Sequence, residues 1–420
     1  MPDADGRRAI AVIGGGISGL TAAYVLRRTA AVTLYEAEGR LGGHAHTHEV
    51  EAEPGVLGVD SGFVVHNDRT YPHLTRLFAE LGVATRDAEM SMSVRCGGCG
   101  LEYAGARGLT GLFAQPRSLA RPRYLRMLTE VPRFHRRARA LLARPGDERT
   151  LAEFLAAGRF SAYFRAHFIT PLVAAVWSCA PETAGRYPAR YLFGFLDNHG
   201  MLSVHGSPRW RTVVGGSRTY VERVAKELTA VHTATPVRSV RRVPEGVEVR
   251  DDSGAARVFD GAVIAVHPPE ALAMRPDATT VEREVLGAFA YSRNPTVLHT
   301  DDRVLPRAAG ARASWNYAMD SCHDGAGHVR VSYDMNRLQG LPTARPHVVT
   351  LNAPVPEEHV LSRMVYEHPI YTPESVAAQR RLPGLSDGTL AYAGAYHGWG
   401  FHEDGCRSGV EAARRLGGAW

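Results

Sequence analysis

The sequence predicts an α/β protein in which a domain built on a parallel sheet is interrupted by an inserted α+β domain. The first 36 residues have the spacing of a strand, a glycine-rich turn, a helix and a second strand. From residue 71 to 204 the spacing is mostly helical, and these helices do not alternate with strands. Strand and helix patterns of the first kind return near Val213 and at the C-terminus, so the middle of the chain is expected to be an insertion.

Residues 9–26 form the most apolar run of the chain, AIAVIGGGISGLTAAYVL. A membrane span needs such a run to be unbroken, but glycines at positions 14, 15, 16 and 19 divide it into a strand, a turn and a helix. The AVTLYE that follows is typical of a second strand, ending at Glu36. The sequence therefore predicts a βαβ unit and no transmembrane segment.

Five segments follow from these patterns. The first domain is expected to comprise residues 1–70, 205–270 and 385–420, where strands precede glycine-rich turns and helices. The inserted domain takes the mostly helical residues 71–204 and the strand-rich residues 271–384, which contain TVLHT, SWNYAMD, HVRVSYDMN and HVVTLNA. The inserted domain should therefore have a sheet of its own.

The composition is that of a folded protein, with 45% hydrophobic and 22% charged residues. The net charge of +6 is made almost entirely by arginine, because Lys226 is the only lysine. Five cysteines are scattered along the chain and no secretory leader precedes the first strand, which favours a reducing cytoplasm.

Two short patterns raise the question of a metal site. Cys96 and Cys99 form a lone C-x-x-C between the strand-like MSMSV and LEY, so a glycine-rich hairpin tip is favoured over zinc or redox chemistry. His44, His46 and His48 alternate, and an extended chain would place them on one face. Metal binding is the minor interpretation in both places, and no metal is expected.

The first turn carries the pattern Gly14-x-Gly16-x-x-Gly19 between a strand and a helix. Glycines at this spacing supply a tight turn, close approach of a diphosphate to the backbone at the helix N-terminus, and close packing of helix on strand. Glu36, at the end of the second strand, is placed to accept hydrogen bonds from a ribose. The acid favours FAD or NAD over NADP, because it suits a free 2′-hydroxyl.

Three segments indicate which of FAD and NAD is the expected cofactor. The first runs from Glu36 to Thr47 as E-x-x-x-R-x-G-G-x-x-x-T, the second is VDSGF at residues 59–63, and the third is AGAYHGWGFHEDGCRSG at residues 393–409. Together they resemble the signatures of the flavin-containing amine oxidase and phytoene desaturase superfamily. The resemblance covers most of the first domain, and it implies a Rossmann-like FAD-binding domain with a substrate domain inserted.

FAD is the cofactor that this resemblance implies. In the family the glycine pair passes close to the FAD phosphates and ribityl, the second segment runs against the isoalloxazine, and the last helix points backbone N–H groups at flavin N1–C2=O. The cofactor-binding residues so implied are Gly14, Gly16, Ile17, Ser18, Gly19, Glu36, Ala37, Arg40, Gly42, Gly43, His44, Gly62, Phe63, Val237, Gly394, Phe401, His402 and Glu403.

The chain departs from the family pattern at two positions. His44 stands where the family has a second arginine, and it is expected to be a neutral or positive donor near the flavin phosphate or ribityl. His46 and His48 are then expected in a strand at the domain edge. Asp404 replaces a usual glycine, which leaves the backbone there undetermined.

Hydride transfer from carbon to flavin N5 needs little help from side chains if the substrate is held close in a dry pocket. Amine-oxidising relatives commonly hold a water with a lysine, whereas Lys226 lies in a predicted helix and is expected to be solvated. Aromatic residues near the flavin segments suit an apolar pocket, with core packing as the alternative: Phe63, Trp399, Phe401, Trp315 and Tyr317.

Four residues are therefore the catalytic candidates, namely Phe401, His402, Trp315 and Tyr317. Phe401 falls where related oxidases place a ring beside the flavin. His402 is expected to act either as a base near neutral pH or as a hydrogen-bond donor to the backbone.

Several stretches resemble a bacterial subgroup often encoded beside cyclopropane-fatty-acid synthases: GGHAHT, VDSGF, SWNY, YDMNRLQ and GFHEDGCRSG. This resemblance implies a fatty acyl chain or lipid as substrate. The expected function is an FAD-dependent oxidoreductase that dehydrogenates a hydrophobic small molecule. The alternatives are a redox-neutral isomerase, an amine oxidase and a flavin-stabilised partner protein without turnover.

Residues 107–144 carry ten arginines and a single acid, Glu130, interleaved with Leu, Phe, Tyr and Met. A basic amphipathic segment suits peripheral contact with an anionic membrane at its inner face, and a solvated helix face is the other interpretation. Nucleic acid is not an expected partner, because no binding module accompanies the charge.

Overall fold

The structure is a computed structural model that describes residues 6–53, 55–203, 206–322 and 328–420. Its strands are β1 (Arg8–Ile13), β2 (Ala30–Tyr35), β3 (Thr47–Ala52), β4 (Gly55–Asp60), β5 (Val65–Asn67), β6 (Thr85–Asp87), β7 (Met92–Cys96), β8 (Glu102–Ala104), β9 (Trp210–Val213), β10 (Ala230–His232), β11 (Val237–Val243), β12 (Gly246–Asp251), β13 (Ala256–Phe259), β14 (Gly261–Ile264), β15 (Ala290–His299), β16 (Trp315–Met319), β17 (Val331–Asp334), β18 (Val348–Leu351), β19 (Val360–Ile370) and β20 (Leu390–Tyr392).

The helices complete the framework. They are α1 (Ile17–Leu26), α2 (Pro72–Glu80), α3 (Gly108–Leu112), α4 (Pro122–Leu142), α5 (Leu151–Ala157), α6 (Ala162–Phe164), α7 (Thr170–Trp177), α8 (Pro181–Ala184), α9 (Ala189–Asn198), α10 (Arg218–Lys226), α11 (Pro268–Ala273), α12 (Thr280–Gly287), α13 (Met335–Gln339), α14 (Pro373–Gln379) and α15 (His402–Arg415). A π-helical turn, Arg165–Ile169, joins α6 to α7.

The first sheet is parallel and has the strand order β10–β2–β1–β14–β20. The central strand β1 pairs with β2 on one side and with β14 on the other, and β14 pairs with the last strand of the chain. Strands β1, β2 and β14 are almost entirely buried, as expected for parallel strands covered on both faces. The predicted α/β class is confirmed, with the start, middle and end of the chain in one sheet.

Helix α1 is buried along its whole length, and α15 packs across it. This packing requires glycine at two positions. A Cβ at Gly19 would lie 1.9 Å from the Gly14 carbonyl oxygen, and a Cβ at Gly409 would lie 2.3 Å from the Ser18 carbonyl oxygen. The first and last helices can therefore approach the turn after β1 only because these side chains are absent.

The second sheet is mixed and has the order β19–β15–β18–β17–β16–β7–β8. Helices α4 to α9 form an apolar cluster against its far end, and rings such as Phe134, Phe164 and Phe193 fill the interior. This arrangement confirms the expected α+β insertion with its own sheet.

The segment 71–204 is less helical than predicted, because it contributes β6, β7 and β8. Of these, β7 and β8 form the hairpin predicted between MSMSV and LEY, whereas β6 had no counterpart in the sequence. β7 pairs in parallel with β16, placing Met92 opposite Trp315. β6 has only three residues and pairs with β9, which lies more than 100 residues away. Such a short strand leaves little local pattern, since its register depends on the partner.

Helices α11 and α12 follow residue 270 and yet pack with the first sheet. Ala271 and Leu286 share an apolar cluster with Ile13 and Ile264. The boundary predicted at residue 270 precedes these helices. After residue 270, the first strand that belongs to the second sheet is β15. The predicted boundary at residues 204 and 205 lies outside the described residues.

Among the described residues, no helix combines the length and the apolarity that a membrane crossing needs. The basic helix α4 has two distinct faces instead. Tyr124, Met127 and Phe134 are buried, while most of its arginines face outward.

Candidate active site

A cavity of 880 Å³ is lined by both domains. We call its two parts the glycine end, whose lining residues lie within 13–18, 36–44 and 235–238, and the apolar end, whose lining residues lie within 175–201 and 315–351. The glycine end follows the carboxyl ends of β1 and β2. The apolar end is formed by α7, α9, the short helix α13 and the strands β16, β17 and β18. Ligands of open parallel sheets bind at the carboxyl ends of the strands, so the position is that of a nucleotide site.

The glycine end begins at the N-terminus of α1. Gly14 has φ of +102°, and a Cβ there would lie 2.6 Å from the Ala265 carbonyl oxygen, so the tight turn requires glycine. A Cβ at Gly16, by contrast, would meet no atom within 4 Å. Gly16 is the N-cap residue, no side chain in the described part of the chain caps α1, and Ile17 and Ser18 line the cavity. Uncapped N–H groups at the positive end of a helix suit a diphosphate.

The carboxylate of Glu36 is fixed at the end of β2. Its Oε2 accepts a hydrogen bond from Gly15 N at 2.6 Å, and its Oε1 accepts one from Glu38 N at 2.8 Å. Both oxygens keep a second lone pair, and the side chain lines the cavity. Glu36 is therefore fixed at the cavity with free acceptor sites, and its contact with a ribose stays a prediction.

The segment from Arg40 to His44 closes over the turn after β1. Gly42 N donates to Gly15 O at 2.8 Å, and Arg40 Nη1 donates to Gly43 O at 2.8 Å. A Cβ at Gly42 would lie 2.3 Å from the Ala45 carbonyl oxygen. The glycine pair thus lets a second chain segment reach the N-terminus of α1.

His44 lines the cavity, with its ring 5.0 Å from Tyr366 and 5.4 Å from His368. Burial and neighbouring cationic groups hold the pKa of His44 well below its usual range, so the ring is neutral. His46 and His48 point elsewhere. His46 Nδ1 lies 3.2 Å from the Tyr366 hydroxyl and His48 Nε2 lies 2.8 Å from Ser61 Oγ, so the alternating histidines do not converge on a metal.

Asp60, in the segment VDSGF, is a buried carboxylate that the sequence did not single out. It accepts hydrogen bonds from Thr47 Oγ1 at 2.5 Å, Ser217 N at 2.9 Å and Gln339 Nε2 at 3.1 Å. Burial raises its pKa to about 6 despite these donors. Since Asp60 binds residues from three other segments, it fixes the backbone that carries Ser61 and Phe63 to the cavity.

His402 lines the cavity and stacks on Phe63, with ring centroids 3.6 Å apart and planes inclined by 7°. Its Nε2 lies 3.0 Å from the Tyr220 hydroxyl, and burial lowers its pKa to about 3. A ring that is stacked, hydrogen-bonded and this weakly basic is poorly suited to take a proton at neutral pH. The structure therefore gives no support to the predicted base.

Asp404, which replaces a usual glycine, caps the last helix. Its Oδ2 accepts a hydrogen bond from Phe401 N at 3.1 Å, and Arg407 Nη2 lies 3.5 Å from Oδ1. Glu403 faces away from the cavity, because its carboxylate accepts from His73 N and Leu74 N at the start of α2. Glu403 is thus a residue that joins helices, not one that lines the cavity.

The apolar end contains residues that the sequence analysis missed. Trp177 and Phe195 lie beside Phe401, with ring centroids 6.3 Å and 4.6 Å away. Trp177 Nε1 also donates to Trp399 O at 3.0 Å, which ties α7 to the loop before α15. The other lining residues of this end are Ala175, Val176, Ser178, His199, Met201, Trp315, Tyr333, Met335, Leu338, Val349 and Leu351.

The two residues predicted from SWNY lie apart. Trp315 lines the cavity, with its ring 5.2 Å from Tyr333. Tyr317, two residues further along β16, is buried in the helical cluster and does not line the cavity. The structure thus places Tyr317 in the core, the alternative that the sequence left open, and gives no support to its predicted catalytic role.

Most of the predicted cofactor residues meet at the cavity. Those that line it are Gly14, Gly16, Ile17, Ser18, Glu36, Ala37, Arg40, Gly42, Gly43, His44, Gly62, Phe63, Val237, Gly394, Phe401 and His402. Gly19 and Glu403 do not, since Gly19 packs α1 against the turn. The open space at Gly16, the uncapped helix and the fixed carboxylate of Glu36 all fit an adenine dinucleotide.

A family model, flavin-containing amine oxidoreductase, matches residues 17–417. Coproporphyrinogen III oxidase of Mycobacterium leprae is 29% identical over 285 residues, 62% of this chain and 60% of that protein. Its counterpart in Mycobacterium tuberculosis is 27% identical over 294 residues, 62% of this chain and 59% of that protein. The chain thus spans less than two thirds of the length of these relatives.

Solved structures show the same fold at low identity. A variant of putrescine oxidase superposes with a TM-score of 0.70 at 17% identity, covering 98% of both chains. A fatty acid isomerase from P. acnes gives a TM-score of 0.70 at 17% identity, covering 97% of this chain and 98% of the other. Cyclohexylamine oxidase from Brevibacterium oxydans gives 0.67 at 17% identity, covering 98% of both chains.

The family match spans nearly the whole chain and includes every segment of the glycine end after Gly16. FAD is accordingly the cofactor, and the chain belongs to the flavin-containing amine oxidoreductase family of FAD-dependent enzymes.

Proposed function

We propose that this enzyme dehydrogenates the acyl chain of a fatty acid or lipid. The observation that carries the proposal is the apolar end, where none of the described lining residues is charged at neutral pH. His199 is the one histidine among these lining residues, and it is neutral because burial lowers its pKa to about 4. Each methylene buried in such a cavity contributes about 0.8 kcal/mol to binding.

An amine is a poorer fit. Amines enter as cations at neutral pH, and a buried cation needs a carboxylate or several strong acceptors. The charged lining residues belong to the glycine end, to α11 or to β15 and β19. On α11, Glu270 Oε2 accepts a hydrogen bond from His267 N at 3.2 Å, and between β15 and β19 Arg293 Nε pairs with Glu367 Oε1 at 3.3 Å. Lys226, the only lysine, is exposed on α10.

Bound FAD would supply the acceptor for a hydride from a substrate carbon. Residues of the glycine end and the segment 61–63 would hold it. Trp177, Phe195 and Phe401 line the side toward the inserted domain, where they position an acyl chain and exclude water from it. The protein's main contribution is thus to hold an unreactive chain in a dry, fixed position.

Removal of a hydride leaves a proton to be lost from the neighbouring carbon. Tyr366 and Ser61 line the cavity, and their oxygens are 2.6 Å apart. Ser61 Oγ lies 2.8 Å from His48 Nε2, and the Tyr366 hydroxyl lies 3.2 Å from His46 Nδ1. This chain of hydrogen bonds leads the proton from Tyr366 Oη to the half-buried histidines and on to solvent. Because burial lowers the pKa of His46 to about 4, the histidines pass the proton on and do not keep it.

Anaerobic mixing of the oxidised holoenzyme with single substrates tests the proposal. Fatty acids or phospholipids should bleach the flavin absorbance durably, whereas putrescine, cyclohexylamine and coproporphyrinogen III should not. Bleaching by an amine or by the porphyrinogen alone would contradict it. Lipid turnover that requires pre-reduced flavin would indicate an isomerase, and tight FAD without reduction by any lipid would indicate a protein without turnover.

The substrate class agrees with the resemblance to the subgroup encoded beside cyclopropane-fatty-acid synthases. A lipid substrate also gives a role to the basic segment, residues 107–144. Leu109, Leu119 and Leu125 are exposed large apolar side chains, and arginines lie near them in the sequence at positions 117, 121, 123 and 126. Exposed apolar side chains in a basic segment suit peripheral contact with anionic lipid, from which an acyl substrate would be collected.

Vesicle sedimentation tests this contact. The wild type should bind vesicles that contain anionic phospholipid, and binding should weaken with salt. Replacing Leu109 and Leu119 by serine should abolish it, whereas the same change at the exposed Val258 and Val281 is the matched control. Equal binding by both variants would show that this surface is only solvated.

A further inference from the structure

Four potential metal ligands meet outside the cavity. Cys96 and Cys99 lie at the tip of the β7–β8 hairpin, His167 lies in the π-helical turn before α7, and Cys322 follows β16. Their ligand atoms, three Sγ and one imidazole nitrogen, all lie within 4.8 Å of one another. It is the one such group of three or more ligands among the described residues.

The spacing of these atoms is that of a tetrahedral zinc site. With Zn–S of about 2.3 Å and Zn–N of about 2.0 Å, tetrahedral geometry places two sulfurs about 3.8 Å apart and a sulfur and a nitrogen about 3.6 Å apart. Cys96 Sγ and Cys322 Sγ are 3.8 Å apart, and Cys99 Sγ and His167 Nε2 are 3.6 Å apart. Both distances correspond to the edges of such a tetrahedron, and all five cysteines of the chain are unbridged.

The hairpin is built to bring the sulfurs together. Gly100 has φ of +67°, which turns the chain directly after the second cysteine. Gly97 N donates to Met319 O at 2.8 Å, and a Cβ at Gly98 would lie 2.9 Å from the Ser321 Cα. The glycines of this C-x-x-C therefore allow the hairpin tip to touch the strand that leads to Cys322.

His167 is oriented as a ligand through Nε2. Its Nδ1 lies 3.2 Å from the Tyr163 carbonyl oxygen, and since a carbonyl only accepts, Nδ1 carries the proton and Nε2 has a free lone pair. The ring is fully buried and stacks on Tyr163 with centroids 3.9 Å apart. Inserted π-helical turns of this kind recur at functional sites, and here the turn aims the imidazole at Cys99.

A hydroxyl donor also reaches the cluster from outside. The Tyr163 hydroxyl lies 3.5 Å from Cys99 Sγ and serves as an outer donor. Zinc binds thiolates, so groups that stabilise a thiolate also favour the metal.

We propose that Cys96, Cys99, His167 and Cys322 bind one structural Zn²⁺. Three thiolates and one imidazole complete a tetrahedral shell, so no position is left for a substrate, and none of the four residues lines the cavity. The ion joins the β7–β8 hairpin, the turn before α7 and the end of β16. Because α7 carries Trp177 and β16 carries Trp315, the site holds two walls of the apolar end in place.

Metal analysis of the untagged holoenzyme tests the site without reference to turnover. We expect one zinc per chain by mass spectrometry of the metal, and all five thiols free when the protein is denatured with chelator. Co²⁺ exchanged into the protein should show the ligand-field and thiolate charge-transfer bands of a tetrahedral site. Zinc-free protein overturns the proposal, whether it has five free thiols or only three because a disulfide formed, and so does iron in place of zinc.

Variants locate the ion. His167→Ala and Cys322→Ser should lose the zinc while the flavin spectrum shows whether the protein is folded. Cys179→Ser, at a buried thiol outside the cluster, is the matched control and should keep it. Zinc retained by both cluster variants, or lost equally by the control, would overturn the assignment to these residues.

Discussion

The two ends of the cavity are made from different parts of the polypeptide. The glycine end presents backbone N–H groups at the start of α1, one carboxylate and a glycine pair that brings two segments together. The apolar end presents large side chains from α7, α9 and three strands. A site made of backbone needs particular glycines at fixed spacing, whereas a site made of side chains needs only shape and apolarity. The cofactor end is therefore constrained residue by residue, while the substrate end is free to vary with the substrate.

The largest expected effect is a difference in unfolding free energy between substitutions at two glycines of the same turn. Gly19→Ala would place a methyl 1.9 Å from the Gly14 carbonyl oxygen, so it should cost about 3 kcal/mol of unfolding free energy or more, even without FAD. Gly16→Ala meets no protein atom and should change the stability of the apoprotein by less than about 0.5 kcal/mol.

The same pair should behave differently toward FAD. A methyl at position 16 occupies the space into which the diphosphate fits, so Gly16→Ala should raise the FAD dissociation constant by at least about tenfold, or 1.4 kcal/mol. Denaturant unfolding and FAD titration of each apoprotein measure the two quantities. Equal loss of stability in both variants would show that Gly16 serves packing and not the cofactor.

Acid should destabilise the protein through buried histidines of both regions of the chain that line or adjoin the cavity. Burial lowers the pKa of His66 and His199 to about 4 and that of His402 to about 3. The unfolded chain binds protons from about pH 6.5 downward while the folded chain does not, so stability is full above pH 6.5 and is lost below it, by about 1.4 kcal/mol per pH unit for each histidine.

Two buried carboxylates work in the opposite direction. The pKa values of Asp60 and Asp404 are raised to about 6, so the folded chain takes up their protons first and gains stability as the pH falls below 6. Because the histidine effect begins at higher pH and involves more groups, thermal unfolding between pH 7.5 and 5.5 should show a net loss. A melting temperature that is higher at pH 5.5 than at pH 7.5 would contradict the assignment of neutral, buried histidines.

An intermediate effect is expected at the boundary of the two ends. Tyr366→Phe removes the hydroxyl that joins Ser61 to His46, so kcat should fall by about 100-fold while FAD content stays the same. Tyr333→Phe, at another tyrosine that lines the cavity, is the matched control and should keep most of kcat. Rapid-reaction reduction of the flavin measures the step directly, and an unchanged rate in Tyr366→Phe would exclude the proton path.

The smallest effect is expected from a charge introduced into the apolar lining of the cavity. Met90 lines the cavity and is half-buried, so Met90→Glu places a carboxylate near the acyl chain without replacing a core residue. KM for a fatty acid should rise by about tenfold, or 1.4 kcal/mol, with little change in the FAD dissociation constant. Met90→Leu keeps the volume and the apolarity and should resemble the wild type. A lower KM in Met90→Glu would indicate a cationic substrate.

The cysteine cluster extends the comparison to a third region. The C-x-x-C at Cys96 was correctly predicted as a hairpin tip, and a metal there was only the minor interpretation of the pattern. Its two remaining candidate ligands lie in other segments, and His167 is 68 residues from Cys99 while Cys322 is 226 residues from Cys96. Only folding reveals that these side chains converge.

The sequence by itself determined the glycine end: the βαβ start, Glu36, the glycine pair and the return of the chain for α15. It could do so because each of these features lies within a contiguous motif whose backbone conformation restricts the residue type. The tertiary structure alone decided which residues form the apolar end, and that Trp315 lines the cavity while Tyr317 lies in the core. It also decided that Glu403 binds the start of α2 and that Cys96 and His167 converge. These depend on which distant segments pack together, and burial of apolar or ligating side chains has no fixed spacing along a chain.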